Sequence, residues 1–371
     1  MKKLNTKGFS HILFPLLIIG VIAAIGTYVL TASHADTPGA NTAAKTVPVQ
    51  TPDPHWSAAQ AISAGGITDK SPGVNGSTGT VALTYHYFLK PGQTASSGNW
   101  GTLTGRFSGS QNSWATGSYF GNGRMNGFQS GSSGPTAVTQ PYQMLFQTNY
   151  YAATPSYPAS TAIAIYCGNA QSGNDTGVLH SSGAVTLNPA VTVAPDNSVS
   201  VFTNINGKFV SFRATQPCND TWTGPSTITS NVMANTAPAA IRIGTGQVAA
   251  AYLNKNNKVE AYLSGAKWAH VNTLVNKTGY TVVGSPALVS TGGNAVKLMV
   301  MAQSATGQPS VLLQADSPDI TKYGLSTLSL AQTNLPATNQ LIQPVNIGDG
   351  YIHLYVTDQV KGTIYQVNDK L

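Results

Sequence analysis

VSVFTNINGKFVSFRA from Val199, AAAYLNKNNKVEAYLS from Ala249 and HLYVTDQVKGTIYQV from His353 are three versions of one pattern. Phe202, Tyr252 and Tyr355 each stand six residues before a lysine, at Lys208, Lys258 and Lys361. The Asn, Asp and Gly residues between are hairpin formers. Each stretch therefore reads as two β-strands joined by a tight turn. The second of the pair alternates apolar and polar, as in Phe209-Val210-Ser211-Phe212.

Working outward, a short proline-led strand precedes each pair. Six such starts occur, at Pro72, Pro135, Pro189, Pro238, Pro286 and Pro344, at intervals of 63, 54, 49, 48 and 58 residues. Proline suits the first position of a strand, where no ladder donor is lost. A fourth element follows, a tryptophan with an apolar residue six positions on: Trp56 to Ile62, Trp114 to Phe120, Trp222 to Ile228 and Trp268 to Leu274. The second and fifth units offer His180 to Leu187 and Tyr323 to Leu330 at imperfect spacing. Four antiparallel strands recurring about every 50 residues predict the blades of a β-propeller.

The chain ends support a closed ring. The sixth unit has three strands and stops at Leu371, while the Trp56 element has no first three strands of its own. Pairing it with residues 343–368 completes the last blade and protects its edge. The fold expected is all-β: a propeller of about six four-stranded antiparallel blades over residues 54–371, closed by an N-terminal strand. The proline-led first strand and Trp-bearing fourth strand resemble the repeats of fucose-binding and sialidase-like propeller lectins, a resemblance that implies carbohydrate recognition. The sialidase Asp-box, Ser-x-Asp-x-Gly-x-Thr-Trp, is approached at Ser317-Pro318-Asp319-Ile320-Thr321 without its Gly-Thr-Trp end, which argues against a true sialidase.

The N-terminus reads differently. Lys2, Lys3 and Lys7 precede ILFPLLIIGVIAAIGTYVL, nineteen uncharged residues from Ile12 to Leu30. That length approaches the ~20 residues needed to cross a bilayer, and lysines on one side only place residues 1–11 in the cytoplasm. Residues 12–31 are expected to span a bacterial cell membrane once, with the C-terminal domain outside. The alternative is secretion after cleavage at Ser33-His34-Ala35. Lys7-Gly8-Phe9-Ser10-His11-Ile12 resembles the start of type IV prepilins, though Leu13 stands where that family has a glutamate. Residues 32–53, small, polar and proline-containing, read as a linker.

Composition narrows function. Only 8% of residues are charged, against ~25% in ordinary domains. The formal net charge is +7, and the positives after Ala35 are scattered along the sequence. A nucleic-acid site needs a basic stripe with interleaved aromatics, so no nucleic-acid partner is expected. In this strand alignment Cys167 and Cys218 are expected at the same rim of adjacent blades, where a pair outside the cytoplasm forms a disulfide or stays as free thiols; they lack the neighbours of a zinc site, and no cofactor is expected. Glu260 is the sole glutamate. Its alternation with Val259 and Ala261 suggests a solvated strand face, and Asp196, Asp220, Asp349 and Asp358 read as turn residues. A glycosidase or lyase needs two convergent acids, and few are on offer. His86 and His353 read as packed strand residues. The binding candidates are Trp56, Trp114, Trp222 and Trp268, with Trp100 in a loop-like stretch. An indole can stack on a sugar or plug the gap between blades, and its repetition suits multivalent binding. Partners expected are the membrane and either a glycan or an envelope protein, the latter making the ring an interaction scaffold.

Overall fold

The computed structural model describes residues 53–371, except 64–71, 87–99, 118–135, 139–143, 152–159, 168–176, 180–186, 305–309, 336–341 and residues 78, 109, 110, 188, 220, 334 and 359. The apolar run 12–30, the prepilin-like start, Ala35 and nearly all of the linker lie outside them. Among the described residues no helix is long and apolar enough to cross a membrane.

Six antiparallel sheets follow one another along the chain. Blade 1 comprises Gly73–Ser77, Thr80–His86, Trp100–Ser108 and Gln111–Gly117. Blade 2 comprises Thr136–Val138, Met144–Tyr151, Ser160–Cys167 and Gly177–Leu179. Blade 3 runs Ala190–Val193, Val199–Ile205, Lys208–Ala214, Thr223–Thr229, and blade 4 runs Ala239–Arg242, Val248–Leu253, Val259–Leu263, Ala269–Leu274. Blade 5 has Ala287–Gly292, Ala295–Gln303, Val311–Ser317 and Ser329–Gln332, with Thr281–Val282 as an extra edge pairing. Blade 6 takes Gln343–Asn346, Tyr351–Asp358 and Thr363–Lys370 from the C-terminus and Gln60–Ala61 from the N-terminus. Gln60 pairs with Gln366 and Ala61 with Tyr365. The six first strands contact one another in a closed circle, so the sheets form a six-bladed ring. Five of the six prolines directly precede their strand; Pro344 is the second residue of its own.

Where blades cover one another on both faces, both sides of a middle strand are buried, as at every position of Val248–Leu253. Ala295–Gln303 shows how period 2 sorts the two sides. Leu298 and Val300 enter the core shared with blade 4, while Met299 and Met301 enter the core shared with blade 6. Each fully buried side chain of this size contributes about 1.5–3 kcal/mol. Five seams between neighbouring blades carry such a core among the described residues: 2/3, 3/4, 4/5, 5/6 and 6/1.

The structure corrects the alignment of the three hairpins. Phe202 faces blade 4 and Tyr355 faces blade 1, the following blade in each case, but Tyr252 faces blade 3, the preceding one. The cause is hairpin length. Blade 3 turns at Asn206-Gly207, between paired Ile205 and Lys208. Blade 4 turns between Leu253 and Val259, and blade 6 between Asp358 and Thr363. Counting back from the hairpin lysine therefore slips the register, and a one-residue slip exchanges the faces.

In blade 2 the fourth strand is described at Gly177–Leu179; His180 and most of the spacing to Leu187 lie outside the described residues. Tyr323 does not fill the tryptophan position of blade 5. It sits on a one-turn helix, Ile320–Tyr323, with 72% of its surface exposed, while Ile320, Leu325 and Leu328 fill the 4/5 seam instead. Cys167, at the end of blade 2's third strand, is bonded to Cys218, just after blade 3's third strand. This cross-link closes a separation of 51 residues, worth about 4 kcal/mol by loop entropy.

Candidate functional site

Alternating strand direction gives the ring two rims. The upper rim holds the turns from first to second strands and the connections from third to fourth. The lower rim holds the second-to-third hairpins and the blade-to-blade connections. Trp56, Trp222 and Trp268 head their fourth strands and so lie toward the upper rim, whereas Trp114 sits in the middle of its strand. All four lean on the preceding blade, in seams 5/6, 2/3, 3/4 and 6/1. Trp100 departs from expectation: it is the first residue of blade 1's third strand, paired with His86, not a loop residue.

Seam 3/4 sets a half-buried tryptophan beside an exposed histidine. Trp268 is half-buried and meets Phe202 and Phe209 of blade 3 at 5.8 and 6.2 Å between ring centroids. Below it on the same face come Tyr262 and His270, with centroids 5.2 Å apart. Then comes Glu260. Expected on a solvated face, Glu260 is buried, because blade 3 covers that face and period 2 says nothing about what lies opposite. Three donors satisfy its carboxylate: Asn254 Nδ2 at 2.6 Å, Thr273 Oγ1 at 2.6 Å and His270 Nε2 at 2.8 Å. The carboxylate thus fixes the Nε2–H tautomer of His270, whose side chain remains 46% exposed. Burial beside Glu260 and Tyr262 pushes the Tyr252 phenol well up, so it stays a neutral hydroxyl. The result is a run of aromatic edges beside a positioned imidazole and a fixed carboxylate. None of His270, Tyr262 or Glu260 carried a repeat signal; only the pairing of Glu260 with Thr273 and Tyr262 with His270 across adjacent strands collects them.

Seam 6/1 is also polar. Trp114 meets Tyr355 at 5.8 Å and Phe107 at 5.9 Å. His353, 2% exposed, donates from Nε2 to Asp349 Oδ2 at 2.9 Å, and its Nδ1 lies 2.9 Å from both Gln366 Nε2 and Asn368 Oδ1. Phe107 lies against the imidazole at 4.4 Å. Tyr355 Oη and Gln366 Oε1, on directly paired residues, are buried without a hydrogen-bond partner among the described residues.

In the other two tryptophan seams the indole N–H is given to the protein itself. Trp56 is buried; its Nε1 donates to Gln314 Oε1 at 2.8 Å and the Lys297 ammonium lies 5.8 Å from its ring. Lys297 is ion-paired to buried Asp369 and lies 3.4 Å from Asp316. Burial holds the Asp369 carboxyl above its usual range, partly offset by Lys297. In seam 2/3, Trp222 Nε1 donates to Pro217 O at 3.1 Å, beside the disulfide. The turn acids do turn work: Asp196, Asp349 and Asp358 accept from backbone N–H of Ser198, Tyr351 and Val360. Asp220 lies outside the described residues. No described first strand, the strands that line the axis, carries an acid.

No protein-family model matches this chain, and no curated protein does. Solved structures do. The fucose-specific lectin from Aleuria aurantia superposes with a TM-score of 0.51 at 15% identity, over 82% of this chain and 93% of that one. AofleA from Arthrobotrys oligospora superposes with a TM-score of 0.51 at 9% identity, over 82% and 84%. At these identities the likeness establishes the β-propeller fold.

Proposed function

We propose that this chain is a carbohydrate-binding propeller displayed outside the cytoplasm, with residues 12–31 holding it to the membrane and with seams 3/4 and 6/1 as the sugar sites. The observation that carries the reading is the recurrence of a seam tryptophan beside fixed polar groups. An indole face suits the apolar face of a sugar, and a few placed hydrogen-bonding groups orient it. In seam 3/4 these are Trp268, Tyr262 and His270 held by Glu260. In seam 6/1 they are Trp114 with His353 and Asp349, next to two buried polar atoms that require partners. The lectin character of the Aleuria aurantia protein supports the reading by fold analogy; fold alone does not fix function. The uncharged run with lysines on one side supports the anchor.

The test is a glycan-array assay on the full-length chain in non-ionic detergent, beside Trp268→Phe and Trp114→Phe. Binding that falls at least about tenfold in a folded variant assigns the site. A folded parent that binds no glycan removes the reading. One observation favours a second reading, an envelope scaffold: Trp56 and Trp222 give their N–H groups to the protein itself, as packing residues do.

A further inference from the structure

Charge is divided unequally between the two rims. Of the eight described acids, Asp53, Asp196, Asp316, Asp319, Asp349 and Asp369 lie toward the upper rim, mixed with arginines and lysines. The lower rim carries Lys208, Lys255, Lys258, Lys277 and Lys361 against Glu260 and Asp358. Both of those acids are engaged internally. Glu260 is saturated by its three donors, and Asp358 caps its own hairpin and lies 3.7 Å from Lys361.

Lys208, Lys255, Lys258 and Lys277 are left together on blades 3 and 4, with no carboxylate at ion-pair distance among the described residues. They share one continuous surface. Val232 N donates to Gly207 O in the blade 3 hairpin, and Lys255 N donates to Asn231 O. The connection between the blades thus ties the two hairpins side by side. Lys255 lies over Gly207: its Nζ is 4.0 Å from where a Cβ on that glycine would stand. This brings the ammonium to the hairpin that carries Lys208. Lys277 follows on the connection leaving blade 4. Between the lysines stand exposed Asn206, Asn231 and Asn256, and Val275 is the one large apolar side chain exposed there.

We propose that this face binds a flexible polyanion, a polymer carrying repeated phosphate or carboxylate groups. Four uncompensated ammonium groups supply attraction without a fixed geometry, and amide side chains supply hydrogen bonds to a polar backbone. A lipid surface is a poorer fit, because interfacial docking needs a broad apolar face among the basic residues. The surface lies on the opposite rim from the mouths of the tryptophan seams, and the inference does not depend on the carbohydrate reading.

The probe is fluorescently labelled long-chain polyphosphate, titrated with the full-length chain in non-ionic detergent at roughly 50 to 200 mM salt. Binding is expected to weaken steeply with salt, since each contact releases counterions. Lys208→Gln, Lys255→Gln, Lys258→Gln and Lys277→Gln together are expected to weaken it by about tenfold or more and to flatten the salt slope. An upper-rim control, Lys267→Gln, Lys322→Gln and Lys370→Gln, is expected to change it by less than about threefold. Trp268→Phe leaves polyphosphate binding intact whatever it does to glycan binding, so the two readings fail separately. No binding by the folded parent, an equal loss in the control, or binding to phosphatidylglycerol vesicles without binding to polyphosphate overturns the proposal.

Discussion

Seams 5/6 and 3/4 hold the same residue in the same place and use it differently. Trp56 and Trp268 both head a fourth strand and both lie over the preceding blade. Around Trp56 every neighbour locks the ring. Asp53 N donates to Ala331 O, Gln314 Nε2 to Asp53 Oδ2 and Gln332 Nε2 to Ser57 O, so the N-terminal segment is fastened across blades 5 and 6. Around Trp268 the inner neighbours are aromatic and the outer ones, His270 and Thr273, are exposed. The repeat dictates where the indole goes, and the surrounding side chains decide whether its seam is sealed or left partly exposed.

The largest expected effect separates the two directly. Trp56→Ala removes a buried indole, its hydrogen bond and the cover over Lys297, and should cost about 3–5 kcal/mol. Trp268→Ala, on a half-buried ring, should cost roughly half of that. Urea unfolding midpoints of the two variants decide it; equal costs would mean that the seams do not differ.

Next in size is the buried ion pair. Lys297→Met leaves Asp369 without its ammonium in the interior, at about 3 kcal/mol or more. The double change Lys297→Met with Asp369→Leu should recover most of that loss, because no charge is then left behind. A double variant as unstable as the single would show that the pair itself, and not the stranded carboxylate, sets the cost.

Seam 3/4 predicts a smaller change. Glu260→Gln keeps the shape but weakens three hydrogen bonds to a charged acceptor, for about 1–3 kcal/mol. It also releases the tautomer of His270, so glycan affinity should fall together with stability. A variant that loses stability but binds unchanged would make Glu260 a packing residue and remove His270 from the site.

These contrasts also show what the sequence could and could not reveal. Pro189, Pro238 and Pro286 marked strand starts because proline has a backbone consequence wherever it stands. Trp222 and Trp268 marked fourth strands because a large side chain must fill each seam. The closure by Gln60–Ala61 was legible as a missing strand at one end and a surplus strand at the other. Facing was less legible. Tyr252 was grouped with Phe202 because the hairpins differ in length, which spacing from a lysine hides. Glu260 looked solvated because alternation reports a side of the strand, and the cover on that side comes from another blade. The lysines looked scattered because Lys208, Lys255 and Lys277 are far apart in the chain and meet only through the ring.

The smallest effect is a pH dependence, and it tests which seam holds the perturbed charge. Burial raises the Asp369 carboxyl above its ordinary value, while in the unfolded chain it titrates near 4. Between those two values the folded state keeps the proton and the unfolded state has released it, so this group makes stability fall as pH rises through the window. Asp196 and Asp319 act the other way. Hydrogen bonds from Ser198 and Thr321 hold their carboxyls below the usual value, so their contribution is present above about 4 and is lost as pH falls below it. Asp369→Asn should therefore flatten the slope just above pH 4 and leave the acid-side loss unchanged. Should the variant keep the parent's slope above pH 4, the buried charge of seam 5/6 is not what sets it, and the contrast with seam 3/4 rests on packing alone.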